Sequence, residues 1–142
     1  MSKRIGRKPV LTPKIIEVIY ELIASGEFDK SVASYIGVSE VSWHNWKRRG
    51  REVQEEIQTN DNYKPTERDL LYLDFYQSLT KAYAEAEMNA INSIRKASKK
   101  DWKAAAWFLE RRFRGKWGRI AKETGTTPEH LQKFLEGRGI EQ

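Results

Sequence analysis

The segment at positions 29–48, DKSVASYIGVSEVSWHNWKR, has the residue spacing that two short helices joined by a tight turn require. Ala33 is small where the two helices would pass closest, and Gly37 can adopt the positive φ that ends one helix and starts the next. Ser39 is a suitable N-cap, so the pattern predicts helices at about 29–36 and 40–51. The apolar residues that can face one core are Val32, Ile36, Val38, Trp43 and Trp46. This spacing is typical of the DNA-binding helix-turn-helix.

The predicted helix at 40–51 has a polar exposed face and a basic end. Its exposed side chains are expected to be Glu40, Val41, His44, Asn45 and Arg48. Asn and Arg suit paired hydrogen bonds with adenine and guanine edges, and basic residues suit phosphates. The expected DNA contacts in and beside this helix are Ser39, Val41, His44, Asn45, Lys47, Arg48, Arg49 and Arg51. The simpler interpretation is a helical hairpin with a basic end and a solvated His44.

Composition and charge narrow the class of protein. The chain has no cysteine, and its two histidines lack the spacing of a metal-binding pair, so we expect no disulfide, metal or cofactor. No apolar run approaches the length of a membrane span, and no signal peptide is evident, so we expect a protein of the cytoplasm. Lys and Arg outnumber Asp and Glu by ten to five in residues 1–51 and by thirteen to six in 95–142, but are outnumbered three to nine in 52–94. Basic ends of this kind point to nucleic acid.

The N-terminal half divides into an arm, a domain and a linker. Residues 1–11 are expected to form a flexible basic arm that contacts phosphates or a minor groove, or else a solvated tail; its cations are Lys3, Arg4, Arg7 and Lys8. A first helix should begin at Thr12-Pro13 and end at Ser25-Gly26, which gives a DNA-binding domain at 12–57. Residues 58–66, rich in Asn, Asp and Pro, are expected to be a linker.

The second half, residues 67–118, is predicted to be a helical oligomerisation domain. A long helix is expected at about 66–98, and Asp101 can cap another at 101–114 that is apolar over most of its circumference. Such a surface favours contact between subunits, although burial within one chain is the simpler alternative. The residues expected at the interface are Tyr72, Tyr76, Leu79, Tyr83, Trp102, Leu109 and Phe113.

With these elements in order, the chain resembles the small terminase subunits of tailed bacteriophages. The resemblance covers about residues 5–119. It rests on the helix-turn-helix introduced by GRKPVLTPKIIEVI, on the long helix KAYAEAEMNAINSIRKA, and above all on DWKAAAWFLERRFRGKWGR. It implies an all-α protein that forms a homo-oligomeric ring, binds double-stranded viral DNA at the packaging-initiation site and delivers it to the large terminase subunit, an ATPase and nuclease. Ring size and the route of the DNA vary within that family and do not carry over.

Residues 119–142 are expected to be a tail that docks the large subunit through a short apolar face, made of Leu131, Phe134 and Leu135. Residues 117–136 also show a second, weaker helix-turn-helix spacing, although a short amphipathic helix explains it more simply.

Two other functions compete with the packaging subunit. A helix-turn-helix transcriptional regulator would use the long helix as a dimer interface, and it would be a two-fold dimer rather than a ring. An enzyme is disfavoured, because the chain has no P-loop sequence and no spaced acidic triad.

Overall fold

The computed structural model describes residues 10–119, and all the regular secondary structure in that range is helical, as predicted. The helices are α1 Pro13–Ala24, α2 Asp29–Ile36, α3 Glu40–Thr59, α4 Glu67–Ser98, α5 Trp102–Arg112 and α6 Arg114–Trp117. The chain divides into two compact units, residues 1–90 and 91–142. None of the helices within 10–119 combines the length and the apolar character that crossing a membrane requires.

The predicted local signals set the ends of several helices. The Thr12 hydroxyl accepts a hydrogen bond from the Ile15 amide at 3.2 Å and caps α1, with Pro13 as the first helical residue. Gly37 has φ 79° and ends α2 in the left-handed conformation. Ser39 caps α3, and Asp101 caps α5. These predicted caps are confirmed. They could be predicted from the sequence because each depends only on residues within one turn.

A reciprocal cap that the sequence analysis did not identify begins α4. The Thr66 hydroxyl accepts from the Asp69 amide at 3.1 Å, and the Asp69 carboxylate accepts from the Thr66 amide at 3.0 Å. Tyr63 also donates to that carboxylate at 3.0 Å. These bonds, first of all the one from the Thr66 backbone, lower the pKa of Asp69 below its ordinary value. The arrangement is a capping box with Asp in place of Glu.

Helix α3 is longer than predicted, which changes the setting of its basic residues. The expected end near residue 51 is wrong, because the helix continues to Thr59. Two exposed ion pairs connect the predicted helix to the added turns, and the partners of each pair are one turn apart. Arg48 pairs with Glu52 at 3.7 Å and Arg51 with Glu55 at 4.0 Å. Val53 is buried and fixes the added turns to the core. The arginines therefore lie in the middle of a helix, and carboxylates follow them.

The core of the first unit joins α1, α2 and α3 to α4. The rings of Trp43 and Trp46 pack edge-on against Phe75 of α4, with centroid distances of 5.2 and 5.7 Å. Phe75 is fully buried. The buried residues that complete this cluster are Leu11, Ile16, Ile19, Ile23, Val32, Ala33, Val38, Tyr72, Leu79 and Ala82. The loop after α3 thus connects helices that share one core.

This packing changes the expected oligomerisation surface. Tyr72 and Leu79 are buried, with only 6% and 1% of their surface exposed. They form the core stripe of α4 with Phe75 and Ala82, which leaves little of their surface for contact with a second copy. Tyr76 is half-buried beside that stripe.

Gly50 permits the close approach of α3 to α4. It is a buried glycine in the interior of α3, where glycine is otherwise unfavourable. A Cβ atom at this position would lie 2.5 Å from the Cβ of Tyr76 and closer still to the carbonyl oxygen of Tyr72. The absence of a side chain therefore sets the distance between the two helices.

The described part of the second unit consists of residues 91–119. Asp101 caps α5, and Phe113 separates α5 from α6 with its ring edge-on to Phe108 at 6.4 Å. No residue of α5 is fully buried in this structure. Trp102 is 73% exposed and Phe113 is 49% exposed, while Leu109 is half-buried. The predicted helix at 101–114 corresponds to α5, which ends two residues earlier, and α6 follows it as a separate turn.

Candidate nucleic-acid interface

The outer face of α3 carries the side chains that were expected to contact bases. Trp43 and Trp46 fix one face of the helix in the core, and successive residues are about 100° apart. Val41, His44 and Asn45 therefore lie on the outer side, where all three are exposed. They occupy the first two turns of α3, the part of a recognition helix that contacts base edges. The outer side of the first two turns thus exposes two polar side chains beside one apolar side chain.

Arg48 and Arg51 lie on the same outer face but are paired with carboxylates. All four side chains of the Arg48–Glu52 and Arg51–Glu55 pairs are more than half exposed. Exposed pairs of this kind contribute about 0–1 kcal/mol, so a phosphate can replace the carboxylate at little cost. The acidic residues beyond them make the last two turns of α3 unfavourable for DNA. The two arginines therefore lie between the exposed residues of the first two turns and the acidic residues of the last two turns.

Lys47 and Arg49 point along α4 rather than outward. The Lys47 ammonium lies 5.3 Å from the centre of the Tyr83 ring, and the Arg49 guanidinium lies 4.9 Å from that of Tyr72. Both are cation–π contacts with the neighbouring helix. The basic cluster expected at 47–51 is thus split, with only Arg48 and Arg51 on the outer face.

Ser39 is used within the turn between α2 and α3. Its hydroxyl accepts from the Ser42 amide at 3.1 Å and donates to the Ser42 hydroxyl at 3.0 Å. Lys30 of α2 pairs with Glu40 of α3 at 3.8 Å across the same turn. Ser39 therefore orients the helix that carries the exposed face.

Asp29 joins three helices, a role that the sequence analysis missed. Its carboxylate accepts a hydrogen bond from the Trp43 indole N–H at 2.9 Å and another from the Tyr83 hydroxyl. Burial and this bond to Asp29 raise the pKa of Tyr83 well above its ordinary value. One side chain thus connects α2, α3 and α4 and fixes the rotation of α3. The hydroxyl of Tyr83, a residue expected at a subunit interface, is bound within its own chain.

The other predicted site residues lie outside the described part of the chain. These are the arm residues Lys3, Arg4, Arg7 and Lys8 and the tail residues Leu131, Phe134 and Leu135. The second helix-turn-helix spacing at 117–136 also falls mainly there.

Comparison with protein-family models, with curated proteins and with solved structures finds no match to this chain.

Proposed function

We propose that α2, the Gly37 turn and α3 form a helix-turn-helix that binds double-stranded DNA through the outer face of α3. The observation that carries this proposal is the fixed orientation of α3. Its inner face is held by Trp43 and Trp46 and by the bond from Trp43 to Asp29, so Asn45 and Arg48 stay exposed on the opposite side. Asn and Arg are the side chains best suited to specific contacts in the major groove.

We further propose that the chain is the DNA-recognition subunit of a phage packaging machine, a small terminase subunit in the host cytoplasm. This part of the proposal depends on the sequence resemblance, above all on residues 101–119. It requires a homo-oligomer, and the exposed residues Trp102 and Phe113 beside Leu109 supply a surface for contact between copies. DNA binding repeated around a ring increases avidity although each unit binds weakly. The large ATPase and nuclease subunit would be its partner.

A dimeric transcriptional regulator remains the second proposal, and the packing of α4 makes it less favoured. The regulator requires α4 as its dimer interface. Four buried residues of α4 already pack in the core of their own chain, which leaves fewer apolar side chains for a second copy. This observation favours an interface on α5 over one on α4.

The DNA-binding proposal is tested with charge reversal on the outer face of α3. Arg48→Glu together with Asn45→Ala should abolish binding to duplex DNA and flatten its salt dependence, because a phosphate contact and a base contact are lost. Lys64→Glu is the matched control, since it makes the same charge change at an exposed loop position away from that face. Binding that is unchanged in the α3 variant, or reduced equally in the control, would contradict the proposal.

The packaging proposal is tested by the mass of the native assembly. A ring of many copies supports it, and a two-fold dimer supports the regulator. Leu109→Asp and Phe113→Asp should reduce the ring to monomers or small oligomers, because burying a charge costs several kcal/mol at every repeated contact. Met88→Asp changes an exposed apolar residue of α4 and should leave the mass unchanged. An unaltered mass in the α5 variants would place the interface elsewhere.

A further inference from the structure

The second unit has a strong positive charge that the proposed DNA site on α3 does not use. Residues 91–119 contain ten Lys or Arg and two Asp or Glu. Both carboxylates are engaged, since Asp101 accepts from the Lys103 amide at 3.0 Å and Glu110 pairs with Arg119 at 3.3 Å. The cations therefore outnumber the acidic groups that could neutralise them in this part of the chain. Such a surface attracts a polyanion.

Three of these ten cations line a groove between the end of α5 and the segment that follows α6. The groove has a volume of about 340 Å³ and is lined by Glu110, Arg111, Arg114, Gly118 and Arg119. Three arginines thus line one groove with a single carboxylate, which Arg119 already holds. Planar guanidinium forks are the side chains best suited to phosphate oxygens.

Gly118 allows the chain to close this groove. The Gly118 amide donates to the Arg114 carbonyl at 2.9 Å and ends α6. A Cβ atom at position 118 would overlap with that same carbonyl oxygen. Any larger residue would clash with Arg114, which lines the groove, so the glycine allows this close turn of the chain.

An exposed tryptophan lies next to these arginines. Trp107 is 48% exposed, and the Arg111 guanidinium stacks over its ring at 4.7 Å from the centroid. Lys103, Trp107 and Arg111 follow one another at intervals of one helical turn, which aligns them on one side of α5. Trp102 and Leu109 lie about 140–160° away from Trp107 around the helix. The side proposed for contact between copies is therefore distinct from this basic and aromatic side.

We propose that Trp107 and the arginine groove form a binding site for single-stranded nucleic acid. Phosphates of the strand lie in the groove against Arg111 and Arg114, and an unpaired base stacks on Trp107. A positively charged groove with an adjacent aromatic platform is the general arrangement of single-strand binding surfaces. Duplex DNA hides the faces of its bases, so the exposed indole favours an unpaired strand. This site is separate from the duplex site on α3.

The test measures binding of a labelled oligothymidylate and of a duplex to the full chain. Trp107→Ala should weaken oligothymidylate binding by about fivefold to a hundredfold, the range for loss of one stacked base. Arg111→Glu with Arg114→Glu should reduce the slope of log K against log salt by roughly 0.7 per arginine. The matched pair for charge is Arg111→Glu alone and Arg112→Glu, which makes the same charge change one residue away but outside the groove, where Arg112 stacks over Phe113.

The outcomes separate this site from the α3 site. If the inference holds, Arg48→Glu with Asn45→Ala removes duplex binding and leaves oligothymidylate binding unchanged, while the groove variants do the reverse. Equal losses in Arg111→Glu and Arg112→Glu would show a general charge effect and overturn the site. A wild-type chain that does not bind oligothymidylate, or groove variants that lose only duplex binding, would also overturn it. Circular dichroism of each variant checks that the helices remain folded.

Discussion

Replacing Gly50 with alanine tests the packing of α3 on α4, which orients the proposed DNA-binding face. Alanine is favoured over glycine in a helix interior by about 1 kcal/mol, so an argument from α3 alone predicts a more stable protein. The tertiary structure predicts the opposite. The added Cβ would lie 2.5 Å from the Cβ of Tyr76, whereas carbon atoms in contact are about 3.5–4.0 Å apart.

The size of the destabilisation by Gly50→Ala depends on which atoms must move to make room for the methyl group. The other atom that the methyl group meets is a backbone oxygen of Tyr72, so no change of side-chain rotamer relieves the overlap. The helices must separate by about 1 Å, which loosens the packing of Trp43 and Trp46 on Phe75. Overpacking of a core costs about 1–3 kcal/mol, and a rigid neighbour places this case at the upper end. After the gain in helix propensity, we expect the free energy of unfolding to fall by about 2 kcal/mol.

Thermal unfolding followed by circular dichroism and tryptophan fluorescence measures this change. For a unit of this size, the expected fall in Tm is about 8–16 °C. Asn45→Ala is the control, because it raises helix propensity at an exposed position of the same helix and should change stability by less than about 0.5 kcal/mol. A Gly50→Ala variant that is as stable as the wild type, or more stable, would refute the close approach of α3 and α4.

Three further predictions concern the contacts around this core. Asp29→Ala leaves the Trp43 and Tyr83 donors without their acceptor and should lower the free energy of unfolding by about 2–3 kcal/mol in denaturant titration, whereas Tyr83→Phe should cost about 1 kcal/mol. Burial raises the pKa of Tyr83 in the folded state, so the contribution of this residue to the free energy of unfolding is complete below about pH 10 and is lost as the pH rises further. The free energy of unfolding should therefore fall less steeply with rising pH in Tyr83→Phe than in the wild type. An equal pH dependence in the two proteins would contradict this. The pKa of Asp69 is lowered in the folded state, so its contribution to the free energy of unfolding is present above about pH 4 and is lost at lower pH. Asp69→Ala should cost about 1 kcal/mol at neutral pH and should make Tm depend less on pH in the acid range. An acid dependence of Tm equal to that of the wild type would exclude the capping role.

The sequence alone determined the starts and turns of the N-terminal helices. The hydrogen bonds that define these ends are local: those of Thr12, Gly37 and Ser39 join residues three or four positions apart. Such bonds form wherever the local chain permits them, and therefore the residue types were sufficient to predict them. The same holds for Asp101 at the start of α5. The inward face of α3 was also predictable, since Trp43 and Trp46 recur at helical spacing.

Only the tertiary structure decided what each helix packs against. The apolar stripe of α4 indicates that a partner exists, but hydrophobic burial is non-directional and does not identify the partner. Tyr72 and Leu79 therefore looked equally suited to a second copy and to their own chain. The contact between Asp29 and Tyr83 joins residues 54 positions apart, which no local spacing encodes. Gly50 combines both kinds of information. The sequence shows a lone glycine within a predicted helix. The need for glycine there follows only from the tertiary structure, in which the backbone of Tyr72 packs against α3.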